Sequence, residues 1–404
     1  MGMHQHLVRS ILSIRDQGGI KLPGGEVAIP DPILVGRNET KLRSIASAHG
    51  VHRYTTDLNR ALDSKTDVIY FDAQTTHARF PALCEAILRG KHVYCEKPVA
   101  GTLADALELV RLANVHGVKT GVVMDKLFLP GILKLQRLLN AGFFGRILSV
   151  RGEHGYYVFE GDWQEGQRPS WNSRKEEGGG IILDMLPHWR YLFEHMFGNM
   201  NAVFCLGAAQ IAERVNEAGE RFACTAEDSA YCMFQMESGL TVRMDASWVA
   251  RVYRDELLEI QVDGTHGSAV AGLRGCKTQH RVNTPRPVWN PDIPNPLNFY
   301  ADWQAVPDNR EFDNAFKVQW EMFLRHVLAD APYTYDFLEG AKGVQLAELA
   351  SQSWQERRWI DIPALIDRAA TIYEFPLVDR DPLARWTVGR VTLRSYRDPS
   401  AGKP

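Results

Sequence analysis

The chain has 404 residues, enough for roughly two to three domains with a large buried core, which excludes a single small module. Hydrophobic residues make up 45% and charged residues 24% of the chain, so a disordered or fibrous protein is excluded. The formal net charge of −3 excludes a chain-wide basic surface for nucleic acid or anionic lipid.

No apolar stretch reaches the roughly 18–20 residues that span a bilayer. Residues 1–17 lack the basic patch followed by an apolar run that is typical of a signal peptide. The six cysteines form no C-x-x-C pair, which favours a reducing compartment. We therefore expect a cytoplasmic protein.

Helical patterns and short apolar runs alternate over the first 125 residues. Apolar positions from Leu7 to Ile14 predict a first helix, and Asn38 and Thr102 are positioned to cap later ones. Short apolar runs predict four buried strands, at residues 32–35, 68–71, 93–95 and 118–124. Buried strands separated by helices indicate a Rossmann-like, doubly wound parallel sheet, here over residues 1–125.

The expected first strand is missing from this pattern. A dinucleotide-binding sheet normally begins with its central strand and a glycine-rich turn, whereas this sequence begins with a helix, and only Gly2 stands where the last glycine of that turn would be. Without that strand, backbone N–H and C=O groups of the neighbouring strands would be buried without hydrogen-bond partners, and each would destabilise the fold by about 1–3 kcal/mol. We therefore expect the natural start to lie about 10–20 residues upstream. An in-frame stop codon close before Met1 would contradict this expectation.

Strict alternation of apolar and polar residues appears after Pro130, most clearly over 241–248 and 258–262. This alternation, together with further apolar segments at 147–150, 230–236 and 268–273, predicts an open, mostly antiparallel sheet. One face of the sheet would pack against helices and the other would face solvent or a partner. Late helices are predicted at about 316–327 and 338–354. We assign residues 126–375 to this substrate and oligomerisation domain and 376–404 to a tail.

The sharpest local motif is Glu96-Lys97-Pro98, directly after a predicted strand. Open parallel sheets present ligands at this edge. An ammonium group there can lie beside a nicotinamide and hydrogen-bond a substrate hydroxyl, favouring the alkoxide that develops as hydride leaves. Lys97 is therefore the first catalytic candidate, against the alternative of a solvated lysine.

A second motif is the glycine run Gly178–Gly180 followed by Asp184 and His188. Residues four apart share one face of a helix, so Asp184 is expected to orient His188, which would take the proton of the hydroxyl being oxidised. A capped helix with an incidental histidine is the alternative. We expect no metal, because no neighbouring Cys or His completes a zinc site.

The combination of Glu96-Lys97-Pro98 with the glycine run, Asp184 and His188 resembles the glucose-fructose oxidoreductase, inositol dehydrogenase and MocA (Gfo/Idh/MocA) family. The resemblance implies a nucleotide-binding domain followed by a domain whose open sheet commonly forms the interface of a homo-oligomer. It also implies proton transfer and substrate binding by the lysine and the histidine, assisted by the aspartate.

Four positions depart from the family pattern. The glycine loop is absent except for Gly2, and Gln74-Thr75-Thr76 replaces the usual Thr-Pro. Residues 124–127, Met-Asp-Lys-Leu, replace an Asn-x-Arg-Phe-like segment. Tyr191 stands where an aspartate often follows the catalytic histidine by three residues.

The predicted cofactor is NADP or NAD, with NADP favoured. NAD enzymes favour a carboxylate after the second strand, whereas this chain has Gly36, Arg37 and Asn38, which suit a 2′-phosphate. Arg37 pointing to water is the alternative. The full set of predicted cofactor contacts is Gly2, Gly36, Arg37, Asn38, Thr75, Thr76, Glu96, Lys97 and Pro98.

We predict an NAD(P)-dependent oxidoreductase that interconverts a secondary hydroxyl and a ketone on a sugar, cyclitol or sugar acid. Aromatic rings beside polar groups suit such a ring, and the predicted substrate contacts are Lys126, Trp171, Arg174, Asp184 and His188. Two alternatives stay open. One is a ligand-sensing or scaffold relative without activity, and the other is a lyase or hydrolase that recycles bound nicotinamide internally.

Overall fold

A computed structural model describes residues 2–365. The tail assigned to 376–404, and the end of the second predicted domain over 366–375, lie outside the described residues. None of the helices among residues 2–365 combines the length and the apolar character that a membrane crossing requires.

The first half of the chain alternates helices with parallel strands. Its strands form two separate parallel sheets among the described residues, one pairing Ile33–Val35 with Arg53–Thr55 and one with the order Ile69–Asp72, His92–Cys95, Thr120–Val122. Its helices are Gly2–Leu12 with π-type winding, Ser13–Asp16, Glu39–Ala48, Leu58–Asp63, Thr76–Leu88 and Leu103–His116. The prediction of a Rossmann-like, helix-covered parallel sheet is confirmed.

Two capping residues lie where the sequence places them. The Asn38 side chain accepts a hydrogen bond from the backbone N–H of Lys41, and that of Thr102 accepts one from Asp105. Each satisfies an N–H that has no partner inside its helix.

Other boundaries differ from the prediction. The strand predicted at 118–124 spans only Thr120–Val122, because the chain turns into a short 3-10 helix at Asp125–Phe128. The sequence predicts a helix over 81–88, whereas the observed helix Thr76–Leu88 begins five residues earlier and contains Pro81. The hairpin Ile20–Lys21 with Val27–Ala28, the strand Arg53–Thr55 and the helix Leu58–Asp63 are not predicted.

The second half is built on a nine-stranded sheet. Its strand order is Gln304–Ala305, Cys276–His280, Gly267–Ala271, Leu258–Gly264, Ile147–Gly155, Thr241–Ser247, Ser229–Met236, Met200–Ala208, Ile360–Asp361. The sheet is mixed, since Thr241–Ser247 runs parallel to Ile147–Gly155 while the other pairs are antiparallel. The predicted, mostly antiparallel sheet is therefore confirmed with one parallel pair.

Helices cover one face of this sheet. The remaining helices are Pro130–Asn140, Ile181–Phe197, which we call the site helix, Ala315–Ala329 and Phe337–Glu356. Trp189 and Phe193 of the site helix are fully buried, and Phe193 packs near Phe234 of the sheet. Shorter elements complete the described chain, namely 3-10 turns at Ser170–Ser173, Lys175–Glu177 and Arg281–Asn283, and a hairpin of Glu213–Val215 with Arg221–Ala223.

One helix joins the two halves. Phe337–Glu356 packs against the site helix, against the strand Met200–Ala208 and against the helix Leu103–His116. A side chain at Gly340 would place its Cβ 2.7 Å from the Val122 side chain, so the helix approaches the parallel sheet at a distance only glycine allows.

A buried arginine fixes the loops at the carboxyl ends of two parallel strands. Arg79 is 2% exposed and its Nε donates to the carboxylate of Asp72 at 3.0 Å. Its remaining nitrogens donate to the backbone oxygens of Gln74, at 2.8 Å, and Pro98. Because Pro98 follows Lys97, this network sets the position of the lysine loop.

Replacing Arg79 by Met is expected to destabilise the fold by about 3–5 kcal/mol, because the Asp72 carboxylate stays buried without its partner. Urea unfolding followed by circular dichroism measures the change. The matched variant Asp72→Asn/Arg79→Met removes the charge as well and is expected to be less destabilised. Equal midpoints for the single and the double variant would contradict the role of the ion pair.

Candidate active site

Lys97 and Asp184 form an ion pair that connects the two halves of the chain. Lys97 follows the strand His92–Cys95, and Asp184 lies in the first turn of the site helix. The Lys97 Nζ donates to the Asp184 carboxylate at 2.5 Å and to the Asp184 backbone oxygen at 2.7 Å. The two motifs, 87 residues apart in sequence, therefore meet in one place.

Arg168 occupies the other oxygen of the Asp184 carboxylate, at 2.9 Å from its Nη1. Burial raises the pKa of Asp184. The charges of Lys97 and Arg168 and their hydrogen bonds lower it by more, so that the pKa lies well below its usual range. The carboxylate is thus ionised between two cations. The guanidinium of Arg168 also lies 4.2 Å from the ring centroid of Trp248, and this cation–π contact helps to hold it in place.

His188 is held by different residues than the sequence predicts. Its Nδ1 lies 2.7 Å from the hydroxyl oxygen of Tyr191 and 3.8 Å from a carboxylate oxygen of Asp125. The prediction that Asp184 orients His188 is wrong, because both oxygens of Asp184 are turned to Lys97 and Arg168. The i, i+4 spacing puts the two residues on one helix face without joining them.

His188 is 4% exposed, and its surroundings favour the neutral imidazole. Burial is the largest cause that lowers its pKa well below the ordinary value, and nearby basic groups add to it, namely Lys126, Lys97, His154 and Arg168. A neutral imidazole can accept a proton. Lys97 contacts Asp184, which lies one helical turn before His188, so the structure brings the two predicted catalytic residues close to each other.

Lys126 lies beside this group. Its Nζ pairs with the Asp125 carboxylate at 2.7 Å, and its backbone N–H donates to the Tyr191 hydroxyl at 3.2 Å. The short 3-10 helix Asp125–Phe128 thus brings a cation, a carboxylate and a backbone donor to the end of the parallel sheet.

Glu96 turns inward. Its carboxylate pairs with the His6 Nε2 at 2.7 Å, and the Trp320 indole N–H donates to the His6 Nδ1 at 3.0 Å. Because Nδ1 accepts, Nε2 carries the hydrogen and donates to Glu96. Burial raises the pKa of Glu96, but the hydrogen bond from His6 and the charge of Lys97 bring it below the ordinary value. The first helix is thereby fixed to the Lys97 loop.

The predicted cofactor contacts follow the carboxyl ends of three parallel strands. Gly36, Arg37 and Asn38 follow Ile33–Val35, where Arg37 is exposed and has no hydrogen-bond partner within residues 2–365. A Cβ at Gly2 would lie 3.1 Å from that of Ala73, so the first helix begins beside the end of Ile69–Asp72.

The Thr75 side chain makes no capping hydrogen bond at the start of the helix Thr76–Leu88, although its backbone oxygen accepts the N–H of Ala78 at 3.1 Å. Uncapped helix ends favour phosphate. This end of the helix and the start of the described chain at Gly2 are positions that could hold the phosphates of a dinucleotide. A Cβ at Gly178 would lie 3.8 Å from that of Thr76, so the glycine run of the second half also borders this place.

The predicted substrate residues Trp171 and Arg174 lie in the same turn, since the Arg174 backbone N–H donates to the Trp171 oxygen at 3.1 Å. The Arg174 side chain pairs with Glu177 at 2.8 Å and stacks on the Phe222 ring, and neither contact involves the Lys97–Asp184 pair. Trp171 is half-buried and precedes Asn172, whose side chain accepts a hydrogen bond from Arg168. Trp171 is thus adjacent in sequence to a residue that contacts Arg168.

The sequence does not predict four residues of the site, namely Arg168, Asp125, Tyr191 and His154. Tyr191 and Asp125 did stand out as departures from the family pattern, and that was a usable signal. Arg168 lies in a stretch without helix or strand, so no periodicity marks it.

Comparisons with known proteins agree with this architecture. Residues 33–124 match the oxidoreductase family with an NAD-binding Rossmann fold, and residues 132–270 match the GFO/IDH/MocA C-terminal domain. The D-xylose dehydrogenase of Paenarthrobacter nicotinovorans is 52% identical over 369 residues, covering 90% of this chain and 95% of that protein. The levoglucosan dehydrogenase of Pseudarthrobacter phenanthrenivorans is 22% identical and covers 59% and 64%.

Solved structures show the same fold. A levoglucosan dehydrogenase in complex with NADH and L-sorbose superposes with a TM-score of 0.71 at 18% identity, covering 88% of this chain and 95% of that one. The aldose-aldose oxidoreductase of Caulobacter crescentus, complexed with glycerol, gives 0.67 at 18% identity and covers 88% and 96%. Domain models of one family match both halves of the chain, and a relative covered over 95% of its length is 52% identical to it. The chain therefore belongs to the Gfo/Idh/MocA family and is an oxidoreductase with an NAD-binding Rossmann fold.

Proposed function

We propose that this protein oxidises a CH–OH group of a sugar, with D-xylose as the first candidate substrate. The D-xylose dehydrogenase that shares 52% of its residues supports this substrate. The observation that carries the proposal is the contact of the Lys97 ammonium with Asp184, four residues before His188 on the site helix.

Oxidation of a CH–OH group removes a hydride from carbon and a proton from oxygen and leaves a C=O group. A nicotinamide ring, when bound at the ends of the parallel strands, supplies the acceptor for the hydride. The chain itself must take the proton and stabilise the charge that develops on oxygen.

His188 takes the proton in this proposal. Its pKa lies well below the ordinary value, so it is unprotonated near neutral pH. Lys97 donates a hydrogen bond to the substrate oxygen and stabilises the alkoxide. Asp184 and Arg168 hold the ammonium in place, because Asp184 binds it with two oxygens and Arg168 fixes the carboxylate.

Lys97→Met and His188→Ala are each expected to lower turnover about a hundredfold or more while the fold survives. Steady-state rates of cofactor reduction with D-xylose measure the effect, and circular dichroism checks the fold. Lys65→Met and His52→Ala change exposed residues and serve as matched controls. Unchanged turnover in both site variants would defeat the assignment of roles. Cofactor that stays bound without net reduction would favour the internal-recycling alternative instead.

The nucleotide preference belongs to the same proposal. Arg37 follows the strand Ile33–Val35 and is exposed without an ion pair in the described part of the chain. A free guanidinium at this position favours the 2′-phosphate of NADP, and the N–H groups at the start of the helix Glu39–Ala48 can add hydrogen bonds.

Arg37→Ala is expected to raise the KM for NADP by about tenfold to a hundredfold, as loss of a charged hydrogen bond predicts, and to leave the KM for NAD nearly unchanged. Titrating each nucleotide at saturating sugar measures both constants. Arg60→Ala, at another exposed arginine, is the control. A wild-type preference for NAD that Arg37→Ala does not alter would refute the NADP proposal.

We also propose that the outer face of the nine-stranded sheet binds a second copy of the chain. Leu206 and Tyr231 are directly paired across neighbouring strands and are 37% and 44% exposed, with Met233 beside them at 38%. Arg243 and Asp245 on the next strand surround this apolar patch with charges of both signs. Self-complementary patches of this kind suit a two-fold interface.

Tyr231→Glu combined with Met233→Lys is expected to dissociate the oligomer, because charged side chains would be buried at its centre. Sedimentation velocity compares the variant with the wild type. Val282→Glu, at an exposed apolar residue outside the sheet, is the control. A monomeric wild type, or a variant that sediments like it, would exclude this interface.

A further inference from the structure

The site helix begins without a capping side chain of its own. The residue before its first turn is Gly180, which has a φ of +111° and offers no side-chain acceptor for the first N–H groups of the helix. Helices usually receive such an acceptor from a Ser, Thr, Asp or Asn at this position. Asp184, which pairs with Lys97, lies in this first turn, so its position depends on how the turn is held.

Glu227 supplies the missing acceptors from a distant part of the chain. It lies two residues before the strand Ser229–Met236 and is 9% exposed. Its carboxylate accepts the backbone N–H of Ile182 at 3.0 Å, and its backbone oxygen accepts the N–H of Ile181, also at 3.0 Å. Burial raises the pKa of Glu227, but the carboxyl group keeps an accepting oxygen in either protonation state.

The glycine run explains how this acceptor reaches the helix. A Cβ at Gly180 would lie 2.4 Å from the same carboxylate oxygen of Glu227 that caps the helix, and a Cβ at Gly179 would lie 2.4 Å from the backbone oxygen of Trp171. A side chain at position 180 would therefore displace the carboxylate, and one at position 179 would strike the backbone. The two glycines let the helix begin directly against Glu227 and against the turn Ser170–Ser173.

We propose that Glu227 is a positioning residue, which caps the site helix and thereby holds Asp184 against Lys97. The Asp184 backbone N–H donates to the oxygen of Gly180 at 3.1 Å, so Asp184 closes the turn that Glu227 holds. A turn that unwinds would move the Asp184 carboxylate and backbone oxygen, the two groups that Lys97 contacts. Glu227 makes no hydrogen bond or ion pair with any of the predicted catalytic residues in the described part of the chain, so it acts through the helix.

The consequence for catalysis rests on the proposed function. Lys97 is the donor that stabilises the alkoxide, and Asp184 holds its ammonium in place. A displaced Asp184 would leave the lysine free to turn away from the substrate oxygen, which lowers kcat. The predicted nucleotide contacts all lie within residues 2–98, outside the site helix, so the KM for the nucleotide is expected to change little.

Two conservative variants separate hydrogen-bond geometry from charge. Glu227→Gln loses the charge but keeps an accepting oxygen at the same reach, whereas Glu227→Asp keeps the charge and withdraws the oxygen by one methylene. Because the hydrogen bond to Ile182 holds the turn in this proposal, the Gln variant is expected to behave like the wild type and the Asp variant is not. Glu227→Ala removes both properties and is expected to show the largest effect.

Hydrogen–deuterium exchange measured by mass spectrometry reports on the first turn in the resting protein. Peptides that cover residues 181–184 are expected to exchange about fivefold faster in Glu227→Ala and Glu227→Asp than in the wild type, because loss of the cap opens the turn more often. The same peptides of Glu227→Gln are expected to exchange as in the wild type. This measurement does not depend on the substrate.

Turnover with D-xylose is expected to follow the exchange. At a temperature where each variant is fully folded, kcat is expected to fall about tenfold in Glu227→Ala, with the KM for the nucleotide within about twofold of the wild type, while Glu227→Gln keeps most of kcat. Asp228→Ala is the matched control, because Asp228 is 5% exposed and its carboxylate also accepts two backbone N–H groups at 3.0 Å, but in the loop at 210–211. This control is expected to lower the melting temperature and to leave kcat and the exchange of 181–184 within about twofold of the wild type.

Unchanged exchange of residues 181–184 in Glu227→Ala would overturn the proposal, as would faster exchange with an unchanged kcat. A Glu227→Gln variant as impaired as Glu227→Ala would overturn it too, since the charge and not the hydrogen bond would then hold the turn. A wild type that oxidises neither D-xylose nor other sugars would instead refute the proposed function, and the exchange measurements would still decide whether Glu227 holds the first turn.

Discussion

The Lys97–Asp184 ion pair is the constraint on which the geometry of the site depends. It joins the loop after a parallel strand to the first turn of a helix from the other half of the chain. Both side chains are partly buried, where an unpaired charge is costly, so each holds the other in place. The relative position of the Lys97 loop and the site helix follows from this pair, and with it the place of His188.

The site distributes its two carboxylates between different tasks. Asp184 lies between Lys97 and Arg168, where its charge balances two cations. Asp125 pairs with Lys126 at 2.7 Å and lies 3.8 Å from the His188 Nδ1. Burial, together with the neighbouring basic groups, keeps the pKa of His188 well below its ordinary value, which favours the neutral imidazole.

The remaining structure supports this arrangement from a distance. Arg79 ties the Lys97 loop to the neighbouring strand end, and His6 ties it to the first helix through Glu96. The helix Phe337–Glu356 packs on both halves, so the site is bounded by elements that share one core. Loops that carry function are positioned here by a rigid scaffold, as is common for binding sites.

The sequence by itself determined the two kinds of sheet, the helix caps at Asn38 and Thr102, and the two motifs that carry Lys97, Asp184 and His188. These are local properties, because periodicity and capping depend on neighbours in the chain. Only the tertiary structure decided the parallel pairing of Thr241–Ser247 with Ile147–Gly155 and the partners of each site residue. The sequence does not predict that Asp184 pairs with Lys97 and not with His188. The two partners are 87 residues apart in sequence, and their contact depends on how the two halves of the chain pack together.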